Sequence, residues 1–221
     1  MKQLYIPTLT GLGELSMDHC ARILEESAAR ASIESVNWPD RFPYRPLTSV
    51  YIAYSDAALH VLFRVHGNSL RACHTTDLSP VHEDSCVEFF VKLPESETYY
   101  NFEFNCIGTC KAARHQGCRE QATDFSLSEL KTIHRWSSLG HRAFKELTGL
   151  FTWDLCVRIP LSLLEVDPDN LPCKLMGNFY KCADKTDQPH YVSWSPVRTE
   201  KPDFHQPAYF GELLLCPNQI G

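Results

Sequence analysis

The chain predicts an all-β fold: a single β-sandwich of antiparallel strands with short helices at its periphery. Three observations carry this. Segments of period-two alternation recur along most of the 221 residues, and alternation sends successive side chains to opposite faces of a strand. Polar or proline-bearing turns separate the segments. Only two stretches show helical spacing, and no repeat, low-complexity tract or long linker divides the chain. Residues 1–221 therefore read as one domain.

Met17, Cys20, Ala21, Leu24, Ala28 and Ala31 fall at helical spacing behind Ser16 and Asp18. They predict a helix over about residues 17–31. "VNWPDRFPYRP" then breaks regular structure with three prolines and should lay Trp38, Phe42 and Tyr44 across the flank of the strands C-terminal to it. "SVYIAYSD", "ALHVLFRVHG" and the shorter "SLRACHT" read as strands. "SCVEFFVKL" and "YYNFEFNCIG" read as a hairpin closed by "PESET". A polar loop is expected from Lys111 to Phe125. Ser126 and Glu129 then form a capping box before Leu127, Leu130 and Ile133, predicting a short helix over about 127–134. "FTWDLCVRIP", "KLMGNFYKCA", "HYVSWSPV" and "YFGELLL" supply the remaining strands.

The formal net charge is -6 and is spread along the chain, which argues against a nucleic-acid partner, since that needs clustered Lys and Arg. No apolar stretch is long enough to span a bilayer, so no membrane partner is expected. "MKQLYIPTLTGLGELS" is broken by Pro7, Gly11 and Gly13 and makes a poor signal peptide. A complete chain would then be cytoplasmic; the alternative is an exported protein whose signal lies outside this sequence. Ten cysteines are scattered and read as reduced thiols, not a disulfide framework. Cys106, Cys110, His115 and Cys118 are spaced more loosely than zinc pairs, and Cys106 falls on an apolar strand face.

The chemistry concentrates on the predicted hairpin. In "YYNFEFNCIGT", Tyr100, Phe102, Phe104 and Cys106 share a core face, while Asn101, Glu103 and Asn105 share the other, with Tyr99 at the edge. In "DSCVEFFV", Ser85, Val87, Phe89 and Val91 oppose Asp84, Cys86, Glu88 and Phe90. Matching the apolar faces puts Glu88 and Glu103 on one surface, within about 10 Å. Asp84, Asn101 and Asn105 join them. Such carboxylates need an answering group. It could be a basic neighbour (Arg64, Arg71 or Arg158), a cation such as calcium, or a hydroxyl-rich ligand. The pair could also act as acid and base in a glycan hydrolase. Tyr191 and Trp194 in "HYVSWSPV" offer aromatic surface on which a pyranose could stack; Trp153, with three aliphatics on its face, reads as core. Asp167, Asp169 and Asn170, like Asp184 and Asp187, lack the spacing of an EF-hand and read as turns.

"EDSCVEFFV", "YYNFEFNCIGT", "GNFYKCAD", "HYVSWSPV" and "KPDFHQPAYFGELLL", in this order, resemble the family 9 carbohydrate-binding modules. The likeness is to their free-standing branch in gut Bacteroidetes, and it covers nearly the whole chain from "LYIPTLTGL". The resemblance implies a β-sandwich that binds a mono- or oligosaccharide without catalysis, in glycan catabolism, with no cofactor unless calcium. Xylanase-linked members hold sugar-chain ends between two aromatic side chains above polar residues. By this likeness Glu88 binds hydroxyls, Glu103 and Asn105 form the floor, and Trp194 is a stacking platform. His82 stands where the family usually carries tryptophan, and Glu103 where xylanase-linked modules tend to carry a basic residue. His82 or Tyr99 would assist the stacking, and Arg71 and Asn178 would add hydrogen bonds, Asn178 because "GNFY" sets it opposite Phe179. Two further alternatives are a DOMON-like haem site drawing on His66, His74, His82 or Met176, and a scaffold with a lost sugar site.

Overall fold

A computed structural model describes residues 1–216. In chain order its strands are β1 (Gln3–Pro7), β2 (Ala29–Ile33), β3 (Ser35–Val36), β4 (Leu47–Tyr54), β5 (Ala58–Ala72), β6 (Cys86–Lys92) and β7 (Thr98–Asn105). There follow β8 (Cys110–Gln116), β9 (Ala122–Asp124), β10 (His134–Ser137), β11 (Phe144–Pro160), β12 (Lys174–Cys182), β13 (Tyr191–Ser193) and β14 (Gly211–Cys216). The helices are α1 (Met17–Ser27) and α2 (Leu127–Leu130). Among the described residues no helix is long and apolar enough to cross a membrane.

The strands make two sheets. One runs β1-β14-β12-β6-β7-β8-β9, with β13 and β3 continuing beside β12; the other runs β10-β11-β5-β4-β2. The expected hairpin forms in the expected register, Phe89 opposite Phe102 and Val87 opposite Phe104. These side chains point between the sheets, where Phe89 stacks on Phe179 of β12 (4.8 Å between centroids) and Phe63 of β5 meets Phe179 edge-on. Each fully buried phenylalanine contributes about 2 kcal/mol by its removal from water. The sandwich is thus the all-β architecture that the alternation predicts.

Several elements differ from expectation. The first helix stops at Ser27, because residues 29–33 pair with β4 and turn Ala29, Ala31 and Ile33 inward at period two. Ala31 fits both periods, the helical one with Leu24 and Ala28 and the strand one with Ala29 and Ile33. The sheet order is not wholly antiparallel: β1 pairs β14 in parallel. The shorter strand expected from Ser69 is in its first residues the continuation of β5. The polar loop after Lys111 holds β8 and β9; its alanines are poor strand formers, so the pattern shows only once β7 lies beside it. The second helix ends at Leu130, with the capping box as expected: the Ser126 hydroxyl accepts from the Glu129 amide, and Glu129 accepts from that of Ser126.

A second apolar layer matters most for the site. Phe90, Tyr99 and Tyr180 point out of the larger sheet and are covered by Trp38, Val197, Phe204 and Phe210. The Trp38 indole donates to the Thr199 carbonyl at 2.7 Å, tying the proline-rich segment to the chain ahead of β14. This cover, not the space between the sheets, encloses the cavity that forms the candidate site.

Gly211 marks a close approach at the cover's end. A Cβ there would lie 2.5 Å from the Trp194 ring and 2.8 Å from the Lys2 carbonyl oxygen. Gly211→Ala should therefore cost about 1–3 kcal/mol, seen as a lowered thermal midpoint with a shifted tryptophan emission.

Candidate functional site

The register that buries the aromatics sets Glu88 directly opposite Glu103, and Tyr180 opposite Glu88 on the other side. All three point outward. Over them fold a single 3-10 turn at Val81–Glu83 carrying His82, the residues after β12 carrying Asp184, and the segment 202–205. With Arg119, Cys182 and Tyr191 they enclose an open cavity of about 150 Å³. That is below the roughly 300–1,000 Å³ of pockets for drug-sized ligands, so the space admits only a small group.

The floor is polar and incompletely satisfied. The Asn101 amide donates to Glu103 Oε1 at 2.8 Å, while its oxygen accepts from the Ala113 amide (3.0 Å) and lies 2.9 Å from His115 Nε2. This fixes one oxygen of Glu103. The other, Oε2, has no hydrogen-bond partner, although Glu103 is only 6% exposed. It faces His82 Nδ1 at 3.6 Å, and that neighbouring carboxylate raises the imidazole above its ordinary value. Burial, with the charge of Glu103 added, pushes the Glu88 carboxyl well above the usual range. The Cys182 thiol donates to Glu88 Oε1 at 3.1 Å. Asp184 is also raised by burial, and its Oδ1 lacks a partner. His205 moves the other way: burial and the nearby His115 lower it to about 4.

One side of the cavity is an aromatic corner. Tyr191 and Phe204 stand 6.1 Å apart at 67°. Phe204 is stacked on Tyr180 at 4.1 Å, and Phe42 packs edge-on against Tyr191 at 4.8 Å. The backing rings fix both side chains, so the corner offers a preformed apolar wall beside carboxylates.

A model of carbohydrate-binding family 9 matches residues 18–215. The chain belongs to carbohydrate-binding family 9. Among solved structures it is similar to a candidate carbohydrate-binding protein from Bacteroides uniformis, 34% identical, with a TM-score of 0.88, covering 97% of this chain and 99% of that one. Two structures of a family 9 module from Caldicellulosiruptor kristjanssonii share the fold. The one in complex with glucose is 14% identical with a TM-score of 0.63, covering 100% and 98% of the two chains. The one in complex with cellotriose is 13% identical with a TM-score of 0.57, covering 99% and 96%. No curated protein matches the sequence.

In this family 9 chain the structure brings together only part of the residue set expected from sequence. Glu88, Glu103 and His82 line the cavity. Trp194 does not. It is 4% exposed, sits between the sheets edge-on to Phe179 at 5.8 Å, and its amide donates to the Phe179 carbonyl. The reason is parity: Tyr191 and Trp194 are an odd number of residues apart in an extended segment, so only one can face the cavity. Asn105 and Asp84 are buried beside it and consume each other: the Asn105 amide donates to Asp84 at 3.0 Å and to the His74 carbonyl at 2.8 Å. Asp84 further accepts from the Cys73 and His74 amides and faces Arg71 at 3.3 Å. Arg71 thus answers Asp84 outside the cavity. Asn178 clamps both backbone groups of Ser195. Tyr99 is fully buried as a backing residue, stacked on His115 with its hydroxyl 3.0 Å from His205 Nδ1.

Other arrangements left open by the sequence also resolve. Arg64 pairs with Asp154 and Glu25, and Arg158 donates to the Leu12 and Leu15 carbonyls, so neither answers the floor. His66 lies across the second sheet beside Thr152, His74 beside Glu83, and Met176 opposite Lys92; they do not converge with His82 as haem ligands would. All ten cysteines are free. Cys106 and Cys110 are buried in the core while His115 points out of the sheet to Asn101, so they share no metal position. Asp167 accepts from the Asp169 amide in an exposed turn. The group in the described residues with donor atoms close enough for one ion is Cys86, Glu88 and Cys182, within 4.8 Å of one another; here it is closed on itself by the Cys182–Glu88 hydrogen bond.

Asp184, Asp203, Phe204, His205, Cys182 and Arg119 also line the cavity and escape a reading of the sequence as site residues. Most sit in irregular segments where no periodicity assigns a face; "KPDFHQ" gave the one signal, its place within the family likeness. Because Glu103 raises His82, the folded state holds the imidazole proton more tightly than the unfolded chain. That stabilisation is full below about pH 6.5 and is lost as pH rises through the folded-state value. An NMR titration should place His82 above its ordinary pKa, and Glu103→Gln should bring it down.

Proposed function

We propose that this family 9 chain binds one ring of a mono- or oligosaccharide without cleaving it, as a binding protein of glycan catabolism. The observation that carries the reading is the unpartnered, buried oxygen of Glu103 at the bottom of a cavity with an aromatic wall. A buried acceptor left unpaired costs about 1–3 kcal/mol, and a sugar hydroxyl removes that cost by donating to it. The apolar C–H face of a pyranose fits against Tyr191 and Phe204, while Glu103, Asp184 and His82 meet the hydroxyl edge. Burial raises the Glu88 carboxyl, and in its protonated form it can donate as well as accept. The module structures in complex with glucose and cellotriose support a saccharide as the class of ligand.

Calorimetric titration with glucose, cellotriose and a panel of other monosaccharides tests this. Tyr191→Ala should weaken binding by about tenfold or more, the loss of aromatic contact with its buried area. Trp194→Phe should lower thermal stability and leave affinity nearly unchanged. Loss of binding in a folded Trp194→Phe protein, with Tyr191→Ala unaffected, would move the site to the other face of the sheet. Cleaved oligosaccharide after the titration would make the Glu88–Glu103 pair catalytic.

A further inference from the structure

The cavity gathers more carboxyl groups than cationic side chains to answer them. Its lining includes four carboxyl groups, Glu88, Glu103, Asp184 and Asp203. Their oxygens are unequally provided for. Asp203 accepts from the His205 amide at 3.0 Å and from Gln206 at 2.7 Å. Glu88 accepts from Cys182, and Glu103 Oε1 from Asn101. Glu103 Oε2 and Asp184 Oδ1 are buried with no donor.

Cations are few. Arg119 is exposed at the rim. His205 is neutral near pH 7, its pKa lowered to about 4 by burial and by His115. Lys111 stands opposite Glu103 on β8 without reaching ion-pair distance, and His82 faces the floor 3.6 Å from Glu103. A neutral hydroxyl can satisfy a lone pair but brings no charge. A primary ammonium brings three donors and a positive charge together, and charge-assisted hydrogen bonds are roughly twice as strong as neutral ones. An acetylated amine loses that charge, and a uronate carboxylate adds to the repulsion.

We propose that the cavity is built for an amino sugar, a pyranose whose free ammonium group is received by Glu103 and Asp184. This rests on the saccharide-binding reading and narrows it to a ligand class. It makes the site selective by charge: a ring of the same shape gains affinity when one hydroxyl becomes an ammonium.

Matched pairs of 2-amino and 2-hydroxy sugars in the gluco, galacto and manno series, with N-acetylglucosamine and glucuronate, provide the test by calorimetry at pH 7. At least one amino sugar should bind about tenfold tighter than its hydroxy partner, equivalent to about 1.4 kcal/mol. Its advantage should shrink in 0.5 M salt, as expected for a partly exposed charge contact on the order of a few ångströms. In Glu103→Gln and in Asp184→Asn, the ratio of amino to hydroxy affinity should fall toward one. Equal affinities within every pair, or tightest binding of N-acetylglucosamine or glucuronate, would overturn the amino-sugar inference and leave saccharide binding standing. No binding by any sugar would overturn both.

Discussion

The register between β6 and β7 is the constraint on which the site depends. Phe89 against Phe102 and Glu88 against Glu103 are successive rungs of one ladder, and a strand's side chains alternate without exception of phase. Burying Val87, Phe89, Phe102 and Phe104 between the sheets fixes that phase, each contributing about 2 kcal/mol. The same phase drives two carboxyl groups together on the outer face. A slip of β7 by one residue would relieve the carboxylates but turn Phe102 and Phe104 out of the core, so the aromatic core holds an electrostatically unfavourable pair in place.

The outer layer turns that pair into a site. Phe204, Phe210 and Trp38 cover the outward aromatics of the larger sheet; the Phe204 segment brings His205 over the floor, the Val81–Glu83 turn brings His82, and the chain after β12 brings Asp184. The cover lowers the local dielectric and strengthens every electrostatic contact beneath it. It also explains why the carboxylates differ. Asn101 gives Glu103 a fixed donor, whereas burial and the charge of Glu103 push the Glu88 carboxyl upward against the lowering effect of the Cys182 thiol.

The two faces of the central hairpin were legible in the sequence because aromatic and polar residues alternate there without interruption. Fold class and family followed from the same segments. Trp194 was misplaced because "HYVSW" is too short and too apolar for its pattern to say which of Tyr191 and Trp194 faces outward; the pairing of Ser193 with Tyr180 decides it. Asn105 and Asn178 carry the right chemistry on the predicted face, yet their amides are consumed by neighbouring backbone. Nothing local in the sequence shows that. The residues of 202–205 and Asp184 sit on irregular chain whose path is set by packing against the hairpin, so their convergence emerges only in three dimensions.

Entry of a saccharide into the cavity over Glu88 and Glu103 can be watched from the histidines, which mark several parts of the fold. Imidazole ¹H–¹⁵N spectra recorded during addition of glucose or glucosamine should show saturable shifts at His82 and His205, with one shared midpoint. His60, buried beside Cys20 and Ser55, and His66 on the second sheet should not move. Saturable shifts at His60 or His66 with His82 and His205 unchanged would contradict a saccharide site in this cavity.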